Sequence, residues 1–233
     1  EEMAQSLYRE WFVHFRFPGH ESARFTASPL GQIPDGWEVQ ELGSLTSFLS
    51  RGLAPKYDDN GDYVIINQKC IRDQRLSLDK ARRQSKNIPP NKELRFGDIL
   101  VNSTGVGTLG RVAQVYCELT GHTVDTHVTI VRPHSKFDIN FLGQALCGME
   151  VLFDSLGAGA TGQTELSRTS ISKVELIVPP EKLRQRFSAL VSPMKNAAHN
   201  YSQKNQTLRR TRDLLLPKLL AGDCGVDRAA SAC

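Results

Sequence analysis

Ile99-Leu100-Val101, then Gly105-Val106-Gly107-Thr108-Leu109-Gly110, then Arg111-Val112-Ala113-Gln114-Val115-Tyr116 is the stretch whose reading decides the fold. The glycines satisfy G-x-G-x-x-G behind an apolar strand, as a dinucleotide site requires. Such a site also needs a helix directly after the glycines, because the helix N-terminus supplies the dipole and free amides that hold a phosphate. Residues 111–116 instead alternate like a strand, with no helix start. The segment therefore reads as a Gly-rich β-hairpin inside an α+β domain.

Outward from the hairpin, short β-rich runs at 63–66, 99–101, 112–116, 128–131 and 174–178 are punctuated by Gly, Pro, Asn and Asp. One helix is expected over 139–156, with Leu142, Ala145, Leu146, Met149, Leu152 and Phe153 inward and Gly157 or Gly159 ending it. Residues 37–180 form this domain. Residues 1–17 read as a helix whose apolar stripe is Ala4, Leu7, Tyr8, Trp11, Phe12 and Phe15, stopped by Pro18-Gly19. Residues 18–36, rich in Gly, Pro and Ser, read as a linker.

After Pro179-Pro180 comes a heptad-like seam over 181–222: Leu183, Phe187, Leu190, Met194, Ala197, Tyr201, Lys204, Leu208, Thr211 and Leu215. Ser192 suits an N-cap and Pro193 a first helical position, so a short helix followed by a long one is expected there. Gly222 is the stop, and 223–233 reads as a disordered tail. Both terminal helices carry stripes they cannot bury alone. The residues expected at helix or subunit interfaces are Leu7, Trp11, Phe15, Phe187, Met194, Tyr201 and Leu208.

The 233 residues, 39% hydrophobic and 23% charged, suit a globular chain with a sizeable core. No run of eighteen apolar residues occurs, so no membrane span is expected. Glu1-Glu2-Met3 begins no signal peptide and is no natural start, which suggests an excised chain. The cysteines Cys70, Cys117, Cys147, Cys224 and Cys233 form no Cys-x-x-Cys pair and no ligand spacing with histidine. That argues against zinc and against a disulfide framework, and for the cytoplasm. The net charge is +4, but segregated: residues 182–218 hold nine Lys/Arg and one acid, Asp213, and residues 51–111 hold twelve Lys/Arg and seven acids. Such segregation suits a polyanion, or simply a solvated face.

Catalytic readings fail. Gly-x-Ser-x-Gly and His-Glu-x-x-His are absent, and although the Gly-rich hairpin matches the kinase pattern even to Val112, no His-Arg-Asp, Asp-Phe-Gly or Ala-Pro-Glu accompanies it. Asp125 and His127 share a strand face, yet no nucleophile accompanies them. Val178-Pro179-Pro180-Glu181 lacks the Asn and aromatic of an amino-methyltransferase loop. Two polar clusters stand out: Asn67-Gln68-Lys69 with Arg72 beyond, and Ala160 to Ser170 with Gln163, Thr164 and Arg168. Asn and Gln pair bidentately with adenine, and Arg or Lys with guanine. A solvated polar loop is the plain alternative.

The Gly-rich pieces together resemble the recognition repeat of type I restriction–modification specificity subunits. Phe96 to Gly105 with Gly110-Arg111-Val112 resembles that family's GDIL…GT…GR segment, and Val124 to Pro133 the block after it. Gly159 to Ser167 is similar to its G-x-T-x-Q-x-x-L loop. Val178 to Glu181 and Thr211 to Gly222 resemble the start and end of its spacer helix, and Leu7 to Phe15 the end of its central spacer.

The resemblance implies a non-catalytic domain that reads one part of a two-part target in double-stranded DNA, with a spacer helix as ruler. Methyltransferase subunits dock on the spacer and restriction subunits join them. Methyl transfer belongs to the partner, so no cofactor and no metal is expected here. One recognition domain where the family has two implies an excised half, or a half-size subunit that pairs with a second copy. The DNA contacts expected are Lys56, Asn67, Gln68, Lys69, Arg72, Asn102, Arg111, Gln163, Thr164 and Arg168. A nucleotide-dependent enzyme built on Gly105–Gly110, or a pure assembly scaffold, are the alternatives.

Overall fold

The computed structural model describes residues 2–135, 137–159 and 164–221. Helix α1 (Glu2–Tyr8) runs into a π-helical turn, Arg9–Val13, and two strands follow as a hairpin, β1 (Phe25–Ser28) and β2 (Gly31–Pro34). Then come β3 (Glu38–Glu41), β4 (Thr46–Arg51), β5 (Tyr63–Ile66), β6 (Ile71–Arg72), β7 (Arg75–Leu76) and β8 (Arg82–Gln84). The second half holds β9 (Ile99–Asn102), β10 (Val112–Gln114), β11 (His122–Val124), β12 (Val128–Pro133), α2 (Ile139–Cys147), α3 (Glu150–Ser155), α4 (Arg168–Ser172), β13 (Glu175–Val178) and α5 (Glu181–Leu220). The fold is α+β with mixed pairing and a long C-terminal helix.

The central sheet has the order β10-β9-β12-β4, all antiparallel. The strand alternation sends Ile99, Val101, Val112 and Val131 to a face covered by α2, α3 and α4, where Leu142, Leu146, Phe153 and Ile171 complete one core. Leu100, Ala113, Val128 and Ile130 point the other way, against Ile66, Cys70, Ile71 and Val124. A sheet buried on both faces requires unbroken apolar strands, which is why 99–101 and 128–131 read so plainly. A second sheet, β11-β5-β8, pairs β11 parallel to β5. Strand β13 pairs antiparallel with β3, so the start and end of the domain are clasped together.

The hairpin is as expected. β9 and β10 are antiparallel, with Val101 opposite Val112, and no helix follows the glycines. Gly110, at φ +77°, closes it: a Cβ there would lie 2.6 Å from the Asp154 amide nitrogen. The single helix expected over 139–156 is two. Gly148 and Met149 break it, and the break turns the Glu150 carboxylate to accept the Val112 amide at 2.7 Å. Leu152, expected inward, is exposed.

At the N-terminus the helix ends at Val13, before Pro18-Gly19. The π turn places Trp11 and Phe12, adjacent in sequence, both in the core, and Phe15 leaves the helix with φ +57°. Phe12 packs 5.0 Å from the rings of both Phe141 and Phe187, and Phe15 lies 5.5 Å from Trp37. Trp11 and Phe187 are buried in a core inside this chain, and the partly buried Leu7, Phe15 and Met194 pack against it. Tyr201 and Leu208 are exposed. Residues 18–36, read as a linker, carry the β1–β2 hairpin and the buried Ile33.

The break expected at Ser192-Pro193 does not occur. Helix α5 is continuous, with Pro193 and Pro217 inside it. Ser192 is not a cap: Asn140 Nδ2 donates to Ser188 Oγ at 2.6 Å and to Ser192 Oγ at 2.9 Å, pinning the turn before the proline to α2. Val191, not the seam residue Leu190, is buried beside Phe187. The tail 223–233 and its stop Gly222 lie outside the described residues.

Candidate nucleic-acid interface

The loops singled out by sequence gather where β5 and β9 end and β12 begins. Asn67 leaves β5 and caps the turn Gln68–Cys70: its Oδ1 accepts from the Lys69 amide at 2.9 Å, and its Nδ2 donates to the Lys80 carbonyl at 2.7 Å. Both ends of this amide are therefore used in folding the loop. Asn102 is fully buried and meets no solvent; its Nδ2 donates to the Gln68 carbonyl at 3.1 Å. It holds the loop rather than facing a nucleic acid. Gln68 lies against Gly105, where φ is +105° and a Cβ would come within 2.8 Å of Gln68 Oε1. That oxygen is buried without a hydrogen-bond partner. The left-handed backbone at 105 favours glycine, and Gln68 packs against it.

Arg111 braces the glycine loop, donating to the Gly107 carbonyl at 2.8 Å. Thr104 bridges to Glu165 across the loops, and its hydroxyl lies 2.6 Å from His127 Nδ1. Asp125 meets His127 through the backbone. Its Oδ1 accepts the His127 backbone amide at 2.9 Å, and burial pushes its carboxyl up from the ordinary value. Thr164 is half-buried beside Gly157, and Arg168 is exposed at the start of α4. Gln163 lies outside the described residues. The contacts thus join Gln68, Asn102, Arg111, Thr164 and Arg168 into one region, with exposed Lys69 on the same turn as Gln68. Arg72 stands apart, whereas the Lys56 carbonyl accepts the Ser85 amide at 3.0 Å, next to Lys86. Lys56 precedes Tyr57, which stacks under Arg82, and Arg72 is exposed beside Asp73 in the β6–β7 turn, whose Gln74 bonds Gln5 of α1.

Three cations were not foreseen. Arg51 pairs with Glu165 at 2.8 Å and donates to the Leu166 carbonyl at 3.1 Å. Lys92 Nζ donates to the Gly52 carbonyl at 2.8 Å, and Lys86 Nζ to the Ala54 carbonyl at 3.3 Å. Burial, then the neighbouring charges of Arg168 and Lys86, push the Lys92 ammonium down from its ordinary value. The sole sequence signal for them was the excess of cations over 51–111.

Clefts of about 430 and 500 Å³ lie at the base of α5, and the Gly105–Gly110 loop lines neither. Among the described residues no group of three or more His, Cys, Asp or Glu is placed to hold a metal ion, and no helix is long and apolar enough to cross a membrane.

Known proteins resemble this chain along nearly all its length. It is 25% identical over 239 residues to the MjaIX specificity subunit of a type I restriction enzyme from Methanocaldococcus jannaschii, covering 97% of this chain and 53% of that one. It is 27% identical over 204 residues to the HindI specificity subunit from Haemophilus influenzae, covering 82% and 42%. The chain spans about half the length of these curated relatives. The fold matches the crystal structure of a type I S subunit from M. genitalium, with a TM-score of 0.59 at 16% identity, covering 83% of this chain and 47% of that one. It also matches the HsdS subunit from Thermoanaerobacter tengcongensis, with a TM-score of 0.54 at 19% identity, covering 95% and 50%. Residues 34–210 match the type I restriction modification DNA specificity domain, and the chain belongs to that family.

Proposed function

We propose that this chain recognises duplex DNA for a type I restriction–modification complex, reading one half of a bipartite target and performing no chemistry itself. The observation that carries this reading is the convergence of the Gln68, Gly105 and Glu165 loops, linked by the Asn102–Gln68 and Thr104–Glu165 contacts, beside a cluster of cations. Amides and guanidinium groups on such loops discriminate base edges, and ammonium groups neutralise phosphates. The base readers are assigned to Gln68, Gln163, Thr164 and Arg168, with Lys56 and Lys69 as phosphate contacts and Arg111 as a brace. Methyltransferase subunits dock on α5, restriction subunits join through them, and the cofactor of methyl transfer stays with the methyltransferase. The complex works in the cytoplasm, either with a second recognition half in the same protein or with a second copy of this chain.

The test is methylation mapping with the chain, its cognate methyltransferase and a library of duplex sites. Gln68→Ala and Gln163→Ala are each expected to relax one target position, at a cost of about 1–3 kcal/mol of discrimination. Lys56→Ala is expected to lower methylation without changing site choice. Original discrimination in both Gln variants, folded and assembled, places the reading surface elsewhere in the domain.

A further inference from the structure

The backbone carbonyls after β4 hold two lysines in fixed positions. Gly52 receives Lys92 and Ala54 receives Lys86, both ammonium groups coming from the segment between β8 and β9. Directly before Gly52, Arg51 reaches the Leu166 carbonyl, which leads within two residues to Arg168. Four cations from three segments thereby meet on one edge of the domain. One of the four, Arg51, is paired with Glu165. The Glu93 carboxylate accepts the Gly121 amide and the Asp125 carboxylate accepts the His127 amide, so neither forms an ion pair with the other three. Among the described residues, Lys86, Lys92 and Arg168 form no ion pair with a carboxylate.

Lys92 is half-buried, and its burial, then the charges of Arg168 and Lys86, disfavour its ammonium form. A fold that holds unpaired like charges together, with lysines fixed by backbone carbonyls, is arranged for an anion from outside. The neighbouring contact is Thr104 with His127, on the Glu165 side of the cluster. An anion bound here therefore lies next to the loops assigned to base reading.

We infer that Lys86, Lys92 and Arg168 form a seat for the phosphodiester backbone of duplex DNA, fixing the register in which the Gln68 and Glu165 loops meet the bases. The inference rests on the DNA-recognition reading above, replaces Lys56 as the main phosphate contact and moves Arg168 from the base readers to the phosphate contacts. Arg51 stays with Glu165 and positions the loop that carries Arg168.

The experiment uses the chain assembled with its methyltransferase subunits and a fluorescent mixed-sequence duplex of about three helical turns, with affinity measured against salt concentration. Removing one phosphate-neutralising cation lowers the slope of log K against log salt by about 0.9. The Lys92→Gln, Arg168→Gln double variant is expected to have a slope shallower by about 2, and Arg168→Gln alone by about 1. Lys92→Arg is expected to keep the wild-type slope, as is Arg9→Gln, a charge change on the N-terminal π turn. Because Lys92 also braces Gly52, the Arg168 variant carries the test if the double variant unfolds. Wild-type slopes in the folded Arg168→Gln and double variants, with DNA still bound, overturn the seat and leave the DNA reading standing. A wild-type complex that shows no salt-dependent binding to the duplex overturns both.

Discussion

Asp98 and Arg132 form the most enclosed ion pair among the described residues. Nε donates to Oδ1 at 2.7 Å and Nη2 to Oδ2 at 2.8 Å, while the guanidinium also reaches the carbonyls of Asn91 and Glu93. The Asp98 carboxylate accepts the Arg95 amide as well, so nearly every polar valence is satisfied. Removing one partner strands the other charge in the interior. Asp98→Ala is therefore expected to cost about 3–5 kcal/mol, read as a lower urea midpoint with unchanged slope. The pair also explains what the sequence motifs are. Asp98 belongs to the Gly97-Asp98-Ile99-Leu100 segment and Arg132 to the block ending at Pro133, and the structure joins them as scaffold. The motifs were legible; that they clasp each other was not, because 34 residues separate the partners. The same distance problem hid the reading region. Asn67 and Asn102 have the chemistry of adenine readers, but their amides are used on Lys80 and Gln68, which only the fold reveals.

At the scale of elements, the strands that sequence announced are the apolar runs, three of them (β9, β10 and β12) in the central sheet and two (β5 and β13) in smaller sheets. The strands it missed include β4, a six-residue edge strand of the central sheet with a mixed sequence, and several that are short and polar. Arg82-Arg83-Gln84 of β8 and Arg75-Leu76 of β7 carry no apolar alternation, and backbone pairing to β5 and β6 holds them. Helix α5 was legible from its spacing, but its continuity was not, since Ser192 looks like a cap until Asn140 is placed against it. The aromatic stripe of α1 needed a partner and finds one in Phe141, Phe187 and Trp37. Trp11 stacks 6.0 Å from Phe187 and is buried, so Trp11→Ala is expected to cost about 3–5 kcal/mol and to lower the melting temperature markedly. An unchanged melting temperature would mean that this helix contributes nothing to the core.

Across the whole molecule, α5 divides into a bound and a free part. Phe187 and Val191 are buried on the domain, whereas Tyr201 and Leu208 are each 65% exposed and Leu214 is 70% exposed. Leu208→Asp with Leu215→Asp is expected to leave the domain's melting temperature within about 1–2 °C of wild type, because these side chains touch no core. The same pair is expected to abolish co-elution with the methyltransferase subunits and any self-association, measured by light scattering. Retained assembly would move the docking surface off this helix. The Asn140 clasp on Ser188 and Ser192 has a consequence of its own. From Ser192 to Leu220 the helix extends about 42 Å at 1.5 Å per residue. Over that length a tilt of about 5° at the clasp sweeps the far end sideways by about 3.7 Å, slightly more than the 3.4 Å step from one base pair to the next. The clasp, with buried Phe187 and Val191 and the Lys195 contact to Gln114, thus acts as the bearing of a lever, and play too small to matter in an enzyme pocket would shift whatever rides on the tip by a whole nucleotide.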